Sequence, residues 1–167
     1  MMPVQTKSFL NLNQPEVMGA ILSWWRELSD MPGDRAILRR CRSPEEVAFI
    51  PAYHRLRKRL LHFGFPQEDV LAMIAGVLAH VKADNPSTDI AAQMANPKGA
   101  EGKPRISELK FRRMLQIRDP KDLYQAVVRL VKHLDGVVNI PSLAKALYWW
   151  NDRTRREWAF SYYEKVS

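Results

Sequence analysis

The sequence predicts an all-α fold, two small helical bundles packed in one compact chain. Three observations predict it. Apolar residues recur at i, i+3 and i+4 along most of the 167 positions. Helix starts are repeated, as Ser, Asp or Asn followed by Pro or a carboxylate within the next turn. No alternating pattern of strand length occurs, and Val137-Val138 is too brief to make one.

The elements follow in order. Residues 1–12 read as a loose or partly docked arm. Asn13 caps a helix through about Leu28, with Pro15 in the first turn and Val17, Ile21, Trp24, Trp25 and Leu28 as its buried stripe. Met31-Pro32-Gly33 is a turn, and Asp34 caps an Arg-rich helix over 35–41. Ser43-Pro44-Glu45-Glu46 is a compact helix start: the hydroxyl accepts from a free N–H, Pro44 fixes φ, and Glu46 reaches back. Ile50-Pro51 ends that helix and begins another, because the residue before proline avoids the α region. Ala52, Leu56, Leu60 and Phe63 form its core face, and Gly64 stops it. Residues 65–69 open a helix carrying Val70, Leu71, Ile74, Val77, Leu78 and Val81. It is apolar around most of its circumference, so it belongs at the centre of the first half.

Asp84-Asn85-Pro86-Ser87 breaks the chain. A short helix from about Thr88 to Ala95 and a mobile surface loop over 96–104 follow. The expected domain organisation is an N-terminal half, 1–83, a linker with short helix and loop, 84–105, and a C-terminal half, 106–167. In the last, Ile106 and Phe111 staple a Ser107 cap, and the helix carries Lys110, Arg112 and Arg113 beside Leu109, Met114 and Leu115. Asp119-Pro120-Lys121-Asp122 starts a helix with the apolar face Leu123, Val127, Leu130, Val131 and Leu134, ended by Gly136. Pro141 opens another, with Leu143, Leu147 and Trp150 on one side. Asp152 caps the last, which ends near Lys165.

The charge is uneven. The net is +8 and the pI about 9.8. Residues 35–62 hold eight Lys/Arg against two Asp/Glu, and residues 98–132 hold ten against four, so each block is +6 and the remainder −4. Two basic blocks, one per half, suit a polyanionic partner. If the halves pack side by side, Arg40 and Arg113 share one outward-facing stripe that tracks a phosphate backbone. Tyr53, Tyr148 and Trp149 sit in apolar helix patterns and read as packing residues rather than base-stacking ones.

Catalytic chemistry is missing. Cys41 is the one cysteine, which excludes an internal disulfide and a Cys-based zinc site. His54, His62, His80 and His133 are scattered, without a third ligand at metal spacing, and read as surface or bundle-edge residues. Ser43, Ser107 and Ser142 are explained as caps. Glu45/Glu46, Glu68/Asp69 and Asp119/Asp122 lie in first turns, where the helix dipole accounts for them. No Gly-rich phosphate loop is present. The reading is a chain with no catalytic residue, metal or cofactor. It shows no signal peptide and no bilayer-spanning segment, so a cytoplasmic location is expected.

Arg39-Arg40, then Ser43-Pro44-Glu45-Glu46, then Ile50-Pro51-Ala52-Tyr53-His54-Arg55-Leu56 resembles the small subunit of the type I-E CRISPR antiviral complex Cascade, the CasB family. Residues 111–118, Phe-Arg-Arg-Met-Leu-Gln-Ile-Arg, resemble its second basic helix. Leu147-Tyr148-Trp149-Trp150 followed by Arg153 and Arg155 resembles its closing segment. Segment 84–104 does not match well. The resemblance implies an all-helical, non-catalytic DNA- and RNA-binding subunit for antiviral defence, present as two copies among other Cascade subunits. It implies contacts to CRISPR RNA and to target DNA, including the displaced strand, that help hold the hybrid. Arg39, Arg40, Arg112, Arg113 and Arg118 carry over by motif, with Arg153 and Arg155. Lys121 and Arg129 are added from charge placement. Two other readings are a helix-turn-helix transcription regulator and an architectural adaptor meeting protein partners through Trp149, Trp150 or Trp158.

Overall fold

The computed structural model describes residues 8–99 and 101–166; residues 1–7 of the expected arm lie outside them. The described helices are α1 (Pro15–Glu27), α2 (Pro32–Arg40), α3 (Pro44–Val47), α4 (Pro51–Leu60), α5 (Glu68–Leu78), α6 (Ile90–Ala95), α7 (Glu108–Leu115), α8 (Pro120–His133), α9 (Ile140–Tyr148) and α10 (Asp152–Lys165). The fold is all-α as expected, apart from one small ladder. Val137–Val138 (β2) pairs in parallel with Ala83–Asp84 (β1).

Proline in the first two positions of α1, α2, α3, α4, α8 and α9 sets where those helices start. Three expected caps are displaced by one or more residues. Gln14 rather than Asn13 stands at the N-cap of α1 and makes no side-chain cap bond. Pro32 begins α2 early, so Asp34 lies inside its first turn and takes Arg55 Nη2 at 2.6 Å. Asn151 rather than Asp152 caps α10, because its side-chain oxygen reaches Thr154 N–H. Ser43 caps α3 as expected. The Glu46 carboxylate reaches back to Arg42 N–H at 2.6 Å, one residue before the cap.

The centre of the molecule is α5. Every residue from Leu71 to Leu78 is buried, and the helix packs against α2, α3, α4, α8 and α9. It therefore serves the whole chain and not the first half alone; one apolar core runs from Leu10 to Tyr162. Val81 is buried but follows the end of α5. Phe63, expected on the core face, is 38% exposed because α4 ends at Leu60 and the chain turns outward. Leu109, beside Lys110 on α7, is likewise exposed.

Segment 84–104 contains a wholly buried element. All six residues of α6 are buried, and the helix packs on α10. Gln93, one of its buried residues, donates to Val137 O at 3.2 Å and accepts from Asn139 N–H at 2.9 Å, which ties α6 to the strand and turn before α9. Tyr162 of α10 donates to Ile106 O at 2.6 Å and stacks on Phe111 with centroids 4.0 Å apart. After α6, Pro97 and Pro104 form an isolated antiparallel bridge.

Candidate nucleic-acid interface

The site begins with the end of α5. The last carbonyls of a helix lack intrahelical partners, and cations favour that end of the dipole. Arg35 Nε donates to Ala79 O at 3.1 Å and its Nη2 to Val81 O at 2.8 Å; Arg39 Nε donates to Ala79 O at 2.8 Å. Burial, and then the neighbouring Arg39, hold the Arg35 guanidinium below its ordinary value. These bonds fix α2 across the C-terminus of α5.

Helix α8 is locked to the same place. Tyr124 Oη donates to Cys41 O at 3.0 Å, and Gln125 Nε2 to Arg42 O at 3.3 Å. Gly76 on α5 makes room for this clamp: a Cβ there would lie 2.6 Å from Tyr124 Oη and 2.9 Å from Val47 Cγ2.

The clamp brings the two basic blocks together. A pocket of about 670 Å³ is lined by Arg39, Arg40 and Arg42, by His80, and by Arg129 and Lys132, with no carboxylate among its lining residues. A second pocket, of about 400 Å³, is lined by Lys110, Arg113, Arg129 and His133 around an apolar floor that includes Met114 and Ile117. Arg129 belongs to both. The structure thus joins Arg40 to Arg113 through Arg129.

Pairing separates the remaining cations. Arg55, Arg57 and Arg59 are held by Asp34, Glu68 and Glu27. Among the described residues, Arg39, Arg40, Arg42, Arg112, Arg113, Arg129 and Lys132 form no ion pair with a carboxylate. The first block's uncompensated charge is therefore concentrated at its start. Arg118 lies 3.7 Å from Asp152, which also holds Arg155. Arg155 is only 13% exposed at the side chain and sits over the Trp150 ring. Arg153 pairs with Glu157 at 3.1 Å. These three lie around the N-terminus of α10 and line neither basic pocket. Arg112 and Lys121 are exposed and line neither pocket.

Tyr53 and Tyr148 are buried as expected, and burial pushes the Tyr53 hydroxyl up to about 12. Trp149 is half-buried. His54 donates from Nε2 to Ala48 O at 2.6 Å, and His62 and His133 are exposed. His80 differs from the other three: it is half-buried and its Nε2 has no partner. Burial first, then Lys132, Arg39 and Arg35, lower its pKa to about 4, so the ring is neutral near neutral pH. Among the described residues, no group of three or more His, Cys, Asp and Glu is placed to hold a metal ion, and no helix is long and apolar enough to cross a membrane.

Sequence reasoning missed Arg42, Lys110, Lys132 and His80 as pocket residues. A signal existed for Lys132, which stands three residues after Arg129 on the polar face of α8. None existed for His80, whose placement depends on a contact between distant segments.

Three comparisons with known proteins bear on this arrangement. The family model for CRISPR-associated protein Cse2 matches residues 34–163. The CRISPR system Cascade subunit CasB of Escherichia coli (strain K12) is 25% identical over 145 residues, covering 83% of this chain and 87% of that protein. A chain in the crystal structure of E. coli Cascade bound to a PAM-containing dsDNA target superposes with a TM-score of 0.69 at 23% identity. It covers 87% of this chain and 95% of that one, a likeness of fold.

Proposed function

The chain belongs to the CRISPR-associated Cse2 family, and from that premise we propose that it is a non-catalytic, cytoplasmic subunit of a Cascade complex. It lines a path for nucleic acid and steadies the opened target by sequence-independent contacts to phosphates. Its partners are CRISPR RNA, target DNA with its displaced strand, the other Cascade subunits and a second copy of itself. The observation that carries this reading is the junction at Arg129, where unpaired cations from both basic blocks line adjoining pockets.

The energetics suit the role. Exchanging a DNA duplex for an RNA–DNA hybrid is nearly balanced, so modest contacts to the ejected strand tip it. Those contacts must tolerate any sequence, and Arg or Lys directed at phosphate does so, whereas base-edge readout would not. Arg40, Arg113 and Arg129 are the principal contacts, with Arg39, Arg112 and Lys121 beside them. Arg118, Arg153 and Arg155 form a secondary set that must exchange carboxylate partners for phosphate. The helix-turn-helix regulator reading is not favoured by the family match.

Tagged protein expressed with its native neighbours should co-purify with a short guide RNA and larger subunits. Recovery of the chain alone, with selection of one duplex sequence from random DNA, would replace this reading with the regulator.

A further inference from the structure

The pocket at the junction contains a group that phosphate-directed arginines do not require. His80 forms part of its wall, and its buried Nε2 has no hydrogen-bond partner. A buried polar nitrogen without a partner is uncommon in folded proteins and signals a missing acceptor or a functional role. Resting on the function proposed above, we propose that this pocket seats one phosphate group of a bound strand and that His80 accepts a proton as the phosphate enters, coupling strand capture to pH.

The surroundings carry the argument. Lys132 from α8 and Arg39 and Arg35 from α2 act on the ring, and Arg40, Arg42 and Arg129 line the same pocket. The other titratable neighbours, Cys41 and Tyr124, are pushed up, chiefly by burial, and stay neutral in the acid range. With the pocket empty, this cationic wall opposes a further positive charge on the imidazole. A phosphate reverses the local field. Its charge offsets the cations that surround the ring. The imidazole then takes one proton from solvent, held by the phosphate charge across the pocket. By linkage, the strand binds more tightly as pH falls from the bound-state midpoint toward the free-state midpoint, and the effect is flat outside that window.

The test follows the His80 ring by NMR across pH in the full chain, alone, with a mixed-sequence single-stranded DNA oligonucleotide, and with inorganic phosphate. The free midpoint should lie near 4, and the oligonucleotide should raise it by about one unit or more. Affinity for the oligonucleotide should gain up to about tenfold per pH unit within the window, and His80→Gln should abolish that gain. A midpoint that stays put while the oligonucleotide binds overturns the inference and leaves the nucleic-acid reading standing. A shift with inorganic phosphate but none with the oligonucleotide reassigns the pocket to a free anion. Failure to bind the oligonucleotide at any pH overturns both.

Discussion

Adjacent arginines on α2 do different work. Arg39 gives its Nε to the end of α5, whereas the Arg40 side chain makes no hydrogen bond or ion pair among the described residues. Arg39→Ala should therefore lower thermal stability by about 1 kcal/mol and weaken strand binding. Arg40→Ala should weaken binding with an unchanged melting curve, and equal melting losses in both variants would refute the division. Sequence could identify the pair as basic but could not separate the two roles, since the carbonyl that Arg39 meets is forty residues away. His80 adds a pH dependence to stability. Its ordinary value is 6.5 and its folded value about 4. Between these, the unfolded chain holds a proton that the folded chain refuses, so acid favours unfolding. The contribution is complete above about pH 6.5 and is lost as pH falls toward about 4. His80→Gln should flatten that part of the pH–melting profile relative to the parent chain, and superimposable profiles would show that the ring is not held neutral by the fold.

At the scale of elements, the starts of helices were legible because capping is local. Ser43, Ser107 and Asp119 each take an N–H three residues ahead, as their spacing foretells. Burial of α6 was not legible. Its surroundings are rich in Pro, Asn and Gly, and only its packing on α10 shows why Ile90 and Met94 face inward. The role of α5 was half legible: its all-round apolarity signals a central helix, but not that both halves would pack on it. Gly76 is the position where that packing is tightest. A methyl group there gains about 1 kcal/mol of helix propensity. It also meets Tyr124 Oη and Val47 Cγ2 closer than van der Waals contact allows. Overpacking of this kind costs about 1–3 kcal/mol, so the clash wins. Gly76→Ala should lower stability and pull Tyr124 from the Cys41 carbonyl. It should also weaken strand binding without removing a charge. Melting and binding measured together check this, and unchanged binding in a destabilised variant would mean that the clamp does not position the pockets.

For the whole molecule, the functional variable is the arrangement of uncompensated charge rather than its total. The two +6 blocks were visible in the sequence. Their fusion at Arg129 was not, because it depends on α8 crossing the end of α2. Nor was the internal neutralisation of Arg55, Arg57 and Arg59, which removes half of the first block from play. Counterion release makes this distinction measurable. On single strands each neutralised phosphate contributes about 0.7 to the slope of log affinity against log salt. Replacing Arg40, Arg113 and Arg129 together by Ala should lower that slope by about 2 if each meets one phosphate. Replacing Arg55, Arg57 and Arg59 should leave it nearly unchanged, because their charges are already met by carboxylates, although their removal also costs stability. The two triple variants lose the same formal charge, so a mechanism resting on net charge alone predicts equal slopes. Equal slopes in a binding titration across salt would dismiss the junction as the site of contact, and a flat response in the parent chain would dismiss phosphate contact altogether.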